Sequence, residues 1–193
     1  MAALATVRWA LPQDWLGWAH GDRAEAERRS PLHGDDGVRR GVVAAVRSFE
    51  DMISTELPGT ACAALWFPEP ADPTPHASAV LRSFSLPRSD EPRLERVLER
   101  ARADIPLPPG VRLLDVAALP SQVAAGDAVL QIVDTAPRFR RRVNREWSWF
   151  ILPPDTEDLV LVHVESSSIA HFDQLADMST DIANAVEVTL ESP

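Results

Sequence analysis

VRLLDVAALPSQVAAGDAVLQIVDTAPRFRRRVNREWSWFILPPDTEDLVLVHVE, residues 111–165, is the stretch on which the fold turns. It contains four runs rich in β-branched and aromatic residues: Val111 to Leu119, Ala128 to Asp134, Val143 to Leu152 and Asp158 to Glu165. The connections between them are too short for the dozen or more residues that a parallel crossover needs, so the runs predict an antiparallel meander. In the third run Trp147, Trp149 and Ile151 share a face by the two-residue period of a strand. The fourth is apolar on both faces as far as His163, which predicts a central strand.

Upstream of the meander, Leu94, Val97, Leu98, Ala101 and Ile105 recur at helical spacing, with Pro92 in the first turn and Pro106 as the stop. Before that, Ala61 to Phe67 and Ala77 to Leu86 read as paired strands joined by the proline-rich loop PEPADPTPH, residues 68–76. Val42, Val46, Phe49 and Ile53 place an apolar stripe on an earlier helix that ends before Pro58-Gly59. Thr6 to Leu11 reads as a first strand, followed by a turn carrying Trp15 and Trp18 and by a polar stretch to Gly37 with little periodicity. Downstream, Ile169, Phe172, Leu175, Ile182, Ala183, Val186 and Leu190 suggest one long C-terminal helix, capped by Ser167 or Ser168, that covers the sheet. The expectation is a single α+β domain over residues 1–193, with one twisted antiparallel sheet of six to seven strands flanked by helices.

This order of elements, the Pro-x-x-Trp of Pro12 to Trp15, the Pro153-Pro154 break, the apolar strand Leu159 to Val164 and the closing Phe172-Asp173 helix resemble the PsbP-like superfamily. That superfamily takes in photosystem-associated PsbP proteins, a Ran-binding import factor, a mycobacterial-type lipoprotein group and the Eag-type chaperones of secreted effectors. The resemblance implies a protein-binding role without catalytic residues, with another protein or peptide as partner, a secreted effector among them. The lipoprotein group carries a lipidated N-terminal cysteine that has no counterpart here.

Composition narrows the function classes. The net charge of −10 opposes nucleic-acid backbones and anionic lipid surfaces. All 19 basic residues are Arg, and without Lys the chain cannot build a phosphate-binding P-loop lysine, a pyridoxal Schiff base or a kinase lysine. Cys62 is the single cysteine, so there is no internal disulfide or thiolate zinc site, consistent with a reducing compartment. The start lacks the features of a secretory signal and no apolar run reaches eighteen residues, so the chain is expected in the cytoplasm and off the membrane. There is no Gly-x-Ser-x-Gly or Gly-x-Gly-x-x-Gly motif. No cofactor, no metal and no catalysis are expected. An enzyme whose site assembles only in three dimensions, and a homo-oligomeric structural subunit, are the alternatives.

Three groups of residues are candidates for function. Arg138, Arg140, Arg141, Arg142 and Arg145 crowd a predicted hairpin, where guanidinium forks suit an anionic ligand or acidic peptide, or simply form a solvated turn. Trp15, Trp18, Trp147 and Trp149 would line a groove for an apolar segment, or belong to the core. His163 and Glu165 share a strand face with His171 soon after, a metal-like trio only if the fold gathers them.

Overall fold

The computed structural model describes residues 3–29, 35–87, 91–103, 105, 107–139 and 142–191. The predicted meander is its centre: β5 (Val111–Val123), β6 (Gly126–Pro137), β7 (Asn144–Leu152) and β8 (Asp158–Ser166) pair antiparallel in sequence order. β5 and β6 run longer than the predicted spans because only Ala124 and Ala125 separate them. Pro120 is tolerated within β5 because that strand is a sheet edge, where a proline is admitted. The sheet continues from β8 to β4 (Ala77–Ser85), β3 (Thr60–Trp66) and β2 (Trp15–Ala19), giving seven strands in the order β2-β3-β4-β8-β7-β6-β5. β8 occupies the middle, as its apolar composition predicts.

Three expectations are corrected. The segment of Trp15 and Trp18 is the edge strand β2, not a turn; its Trp-Leu-Gly-Trp-Ala sequence alternates between two apolar faces. The first strand, β1 (Leu4–Trp9), lies outside the main sheet and pairs with β9 (Val186–Leu190) in a separate two-stranded ribbon. The C-terminal helix is therefore shorter than its apolar stripe suggests. After a 3-10 turn at Ile169–His171, the helix spans Phe172–Asn184, and the β-branched Val-Glu-Val-Thr that follows turns into strand. Ser167 and Ser168 give the helix no side-chain cap.

The other helices are α1 (Arg23–Arg29), hidden in the polar stretch, α2 (Asp36–Glu56) and α3 (Arg93–Arg102); the C-terminal helix is α4. Asp35 caps α2 by accepting from the backbone amides of Gly37 and Val38. α4 and the β1/β9 ribbon cover one face of the sheet. Phe172, Leu175, Ile182 and Val186 pack there on Trp147, Trp149, Val160, Val162 and Val164. On the opposite face α1 and α2 bury Val42, Val46 and Ile53 against Leu16, Trp18, Ala63, Leu65 and Val80. α3 buries Val97 and Ala101 against Val129, Leu152 and Leu159. Glu50 of α2 fastens the end of β2 by accepting from the Trp18 indole (2.8 Å) and the Gly21 amide (2.7 Å). Among the described residues no helix is long and apolar enough to cross a membrane.

Candidate functional site

The strand order leaves one strip of the sheet uncovered. A helix on a sheet covers about 10 Å, or roughly two strands at about 4.8 Å spacing. α2 centres on β3 and α3 on β5 to β7, so β4 and β8, which lie between them, are left partly open on this face. Registration across the strands sets the residues of this strip in rows. Ser78, Glu165 and Glu146 form one row, Val80, His163 and Ser148 the next, and Arg82, Leu161 and Phe150 the third. Most of these side chains are half-buried, and Phe49 and Met52 of α2 overhang them. A cleft of about 430 Å3 runs between α2 and the strip, lined by Phe49, Met52, Glu56, Arg82, Leu161, His163 and Glu165. An apolar hollow of about 810 Å3 opens on the α3 side, between Phe84, Val97, Ala101 and Phe150.

The polar rows are held by short local bonds. The Ser78 hydroxyl donates to Glu165 Oε1 (3.0 Å), Ser148 Oγ lies 2.9 Å from His163 Nδ1, and Asn144 donates to Glu146 Oε1 (3.4 Å). Burial pushes the Glu146 carboxyl above its ordinary range; His163 opposes this and the neighbouring Glu165 charge adds to it. Neither glutamate meets an Arg within ion-pair distance among the described residues. Two carboxylates opposite one another without a cation are a costly arrangement on a sheet face, since like charges directly opposite destabilise.

His163 and Glu165 do share this face, as the alternation of β8 predicts. His171 does not join them. It sits across the sheet, edge-on to Trp66 (ring centroids 5.1 Å apart), where it meets His76. No group of three His, Cys, Asp or Glu suited to a metal forms among the described residues. The Trp groove is also corrected, because Trp15, Trp18, Trp147 and Trp149 are all core residues, the most exposed of them only 9% accessible. Burial of the rings gains more than exposure could, and Trp18 and Trp149 find acceptors inside, at Glu50 and Ser179. None offers surface to a partner.

The arginine cluster divides. Arg138 and Arg142 are exposed at the turn between β6 and β7, and Arg142 donates to the Ser167 hydroxyl. Arg140 and Arg141 lie outside the described residues. Arg145 is no part of a solvated turn. It grips Asp134 with both arms of its fork (2.7 and 2.6 Å) and its guanidinium lies 4.8 Å from the centre of the Phe172 ring.

The strip residues Ser78, Glu146 and Ser148 escaped the sequence reading. Their signal was present in Asn144-Arg-Glu-Trp-Ser-Trp: if Trp147 and Trp149 face the core, Asn144, Glu146 and Ser148 share the other face with Phe150. No protein-family model matches the chain, and no curated protein sequence does. The architecture defines an α+β protein built on a seven-stranded antiparallel sheet. Among solved structures it is similar to LpqN of Mycobacterium tuberculosis, described as involved in cell envelope biogenesis. The identity is 13%, the alignment covers 95% of this chain and 83% of LpqN, and the TM-score is 0.50. At that identity the likeness shows a shared fold.

Proposed function

We propose that this chain is a non-catalytic binding domain of PsbP-like type, an adaptor or chaperone that holds a segment of another protein on the open strip between α2 and α3. The observation that carries the reading is the strip itself, whose glutamates Glu146 and Glu165 face each other with no Arg among the described residues within ion-pair distance. A partner segment would set apolar side chains against Phe49, Met52, Leu161 and Phe150 and a basic residue over the two carboxylates. A secreted effector is the partner class to which the PsbP-like resemblance points. The likeness to LpqN supports the fold on which this rests and names no ligand.

The enzyme alternative would recruit Ser148, 2.9 Å from His163 and beside Glu146. Ser148 is only 6% exposed, however, so its hydroxyl orients the imidazole from beneath instead of meeting a substrate. A photo-crosslinking residue at Leu161 tests the reading in cells of the native host, with Glu187 on β9 as the control position. Polypeptide adducts are expected at Leu161 and not at Glu187, and Glu146→Arg combined with Glu165→Arg should abolish them. Equal adducts at both positions, or turnover of a small molecule by the purified chain alone, would overturn it.

A further inference from the structure

Five large hydrophobic side chains stand exposed among the described residues, and four of them, Leu113, Leu114, Phe139 and Ile169, belong to one end of the sheet. Register and turns bring them there. Val111 to Leu113 at the start of β5 pair with Pro137 to Thr135 at the end of β6, and Arg145 near the start of β7 pairs with Ser166 at the end of β8. The Arg138 amide donates to the Gly110 carbonyl (2.8 Å), which draws the β6–β7 turn toward β5. Arg142 donates to the Ser167 hydroxyl and so ties the same turn to the segment that leads into Ile169. Leu114 is the extra residue of a bulge, left out of the ladder. Phe139, 96% exposed, projects from the turn into solvent. Large apolar side chains gathered on a surface and rimmed by polar ones mark an interaction site. Here the rim is basic.

We propose that this end of the sheet docks on a lipid surface bearing anionic headgroups, with Phe139 and its apolar neighbours entering the acyl boundary and Arg112, Arg138 and Arg142 lying at headgroup level. All three arginines are exposed, and none meets a carboxylate within ion-pair distance among the described residues. The nearby carboxylates Asp134, Asp173 and Asp115 bear instead on Arg145, and together they hold its guanidinium above the ordinary value, Asp134 most strongly through its hydrogen bonds. The net charge of −10 repels such a surface at long range. Yet β6, 12 residues long, spans about 40 Å, so carboxylates at the far end of the sheet lie well beyond the screening length of about 8 Å at physiological salt. The shape also favours lipid over a folded partner. A protruding ring anchors a protein interface only where the partner offers a fitted pocket, whereas an acyl layer closes around the ring without one. The flanking cations gain from the headgroups in the same encounter.

This surface does not depend on the open strip or on its partner, and its test uses lipid alone. The purified chain should sediment with vesicles of phosphatidylcholine containing about 30% phosphatidylglycerol and stay in solution with phosphatidylcholine alone. Phe139→Ser should weaken the partition by at least about tenfold. Arg138→Gln combined with Arg142→Gln should weaken it by about twentyfold, since each basic residue near an anionic surface contributes about fivefold. Leu119→Ser, exposed farther along β5, should leave it unchanged. Thermal unfolding reports whether each variant is folded, and Ile169→Ser repeats the test from a second element. Equal binding to both kinds of vesicle, binding to neither, or undiminished binding of Phe139→Ser would overturn the proposal. A wild-type chain that stays off the vesicles but forms a dimer, dissociated by Phe139→Ser, would make this end an interface between two copies and overturn it as well.

Discussion

The two faces of the sheet draw on the same strands and end in opposite states. Under α4 and the β1/β9 ribbon, Trp66, Trp147, Ile151, Val160, Val162 and Val164 are almost completely removed from water. On the other face α2 and α3 seal the flanks and leave Arg82, Leu161, His163, Glu165, Glu146 and Phe150 half-buried between them. The alternation along β7 and β8 therefore separates two tasks. Residues of one parity supply the folding energy, and those of the other parity are free to carry charge. A charged residue in the first set would unfold the chain, whereas the second set holds two glutamates and a histidine at tolerable cost.

The sharpest way to break this comparison is to truncate one residue on each face. Trp147 is 1% exposed and packs edge-on against Phe172, their ring centres 5.8 Å apart. Trp147→Ala should cost about 3–5 kcal/mol, the range for emptying a large aromatic from a packed core. Leu161→Ala removes a half-buried side chain from the open strip and should cost about 1–2 kcal/mol, since part of its surface already meets water. Urea unfolding of both variants measures the gap. Equal losses would mean that the strip is as much core as the sealed face.

The arginine cluster offers a second, smaller contrast. Arg145→Gln removes a two-pronged bond and leaves the Asp134 carboxylate, 14% exposed, without its partner; the cost should be about 1–2 kcal/mol. Arg138→Gln touches an exposed turn residue and should leave the urea midpoint unchanged. A large loss at Arg138, or none at Arg145, would reverse the division of the cluster.

Much of this was legible in the sequence. The meander, the central place of β8, helices α2 and α3 and the packing of Phe172, Leu175, Ile182 and Val186 followed from period and turn chemistry, because those signals are local. What escaped depends on remote pairing. Val186 to Leu190 continues the apolar stripe of α4 on a helical wheel, and only the presence of β1 alongside makes it a strand. Trp15 and Trp18 follow a proline and resemble a turn until β3 supplies their register. The open strip could not be read because nothing in residues 36–56 or 93–102 says how far apart the two helices land on the sheet. The meeting of His76 with His171 has the same character: each lies in a connection whose path is set by the elements at its ends.

The mildest effect concerns the charge in the strip. Burial and the Glu165 charge raise the Glu146 carboxyl above the ordinary glutamate value of 4.5 in the folded state. The unfolded chain therefore ionises this group more readily than the folded one. The resulting penalty is absent below 4.5, grows as pH rises toward the folded value, and is complete above it. Glu146→Gln removes the penalty, so the variant should unfold at a higher temperature than the wild type at neutral pH. The two should converge as pH falls toward the ordinary glutamate value. Thermal unfolding across that interval checks both the sign and the convergence. A variant less stable at neutral pH would mean that His163 compensates Glu146 within the chain. The strip would then be a satisfied part of the fold, and a basic partner residue would have no unmet charge to neutralise.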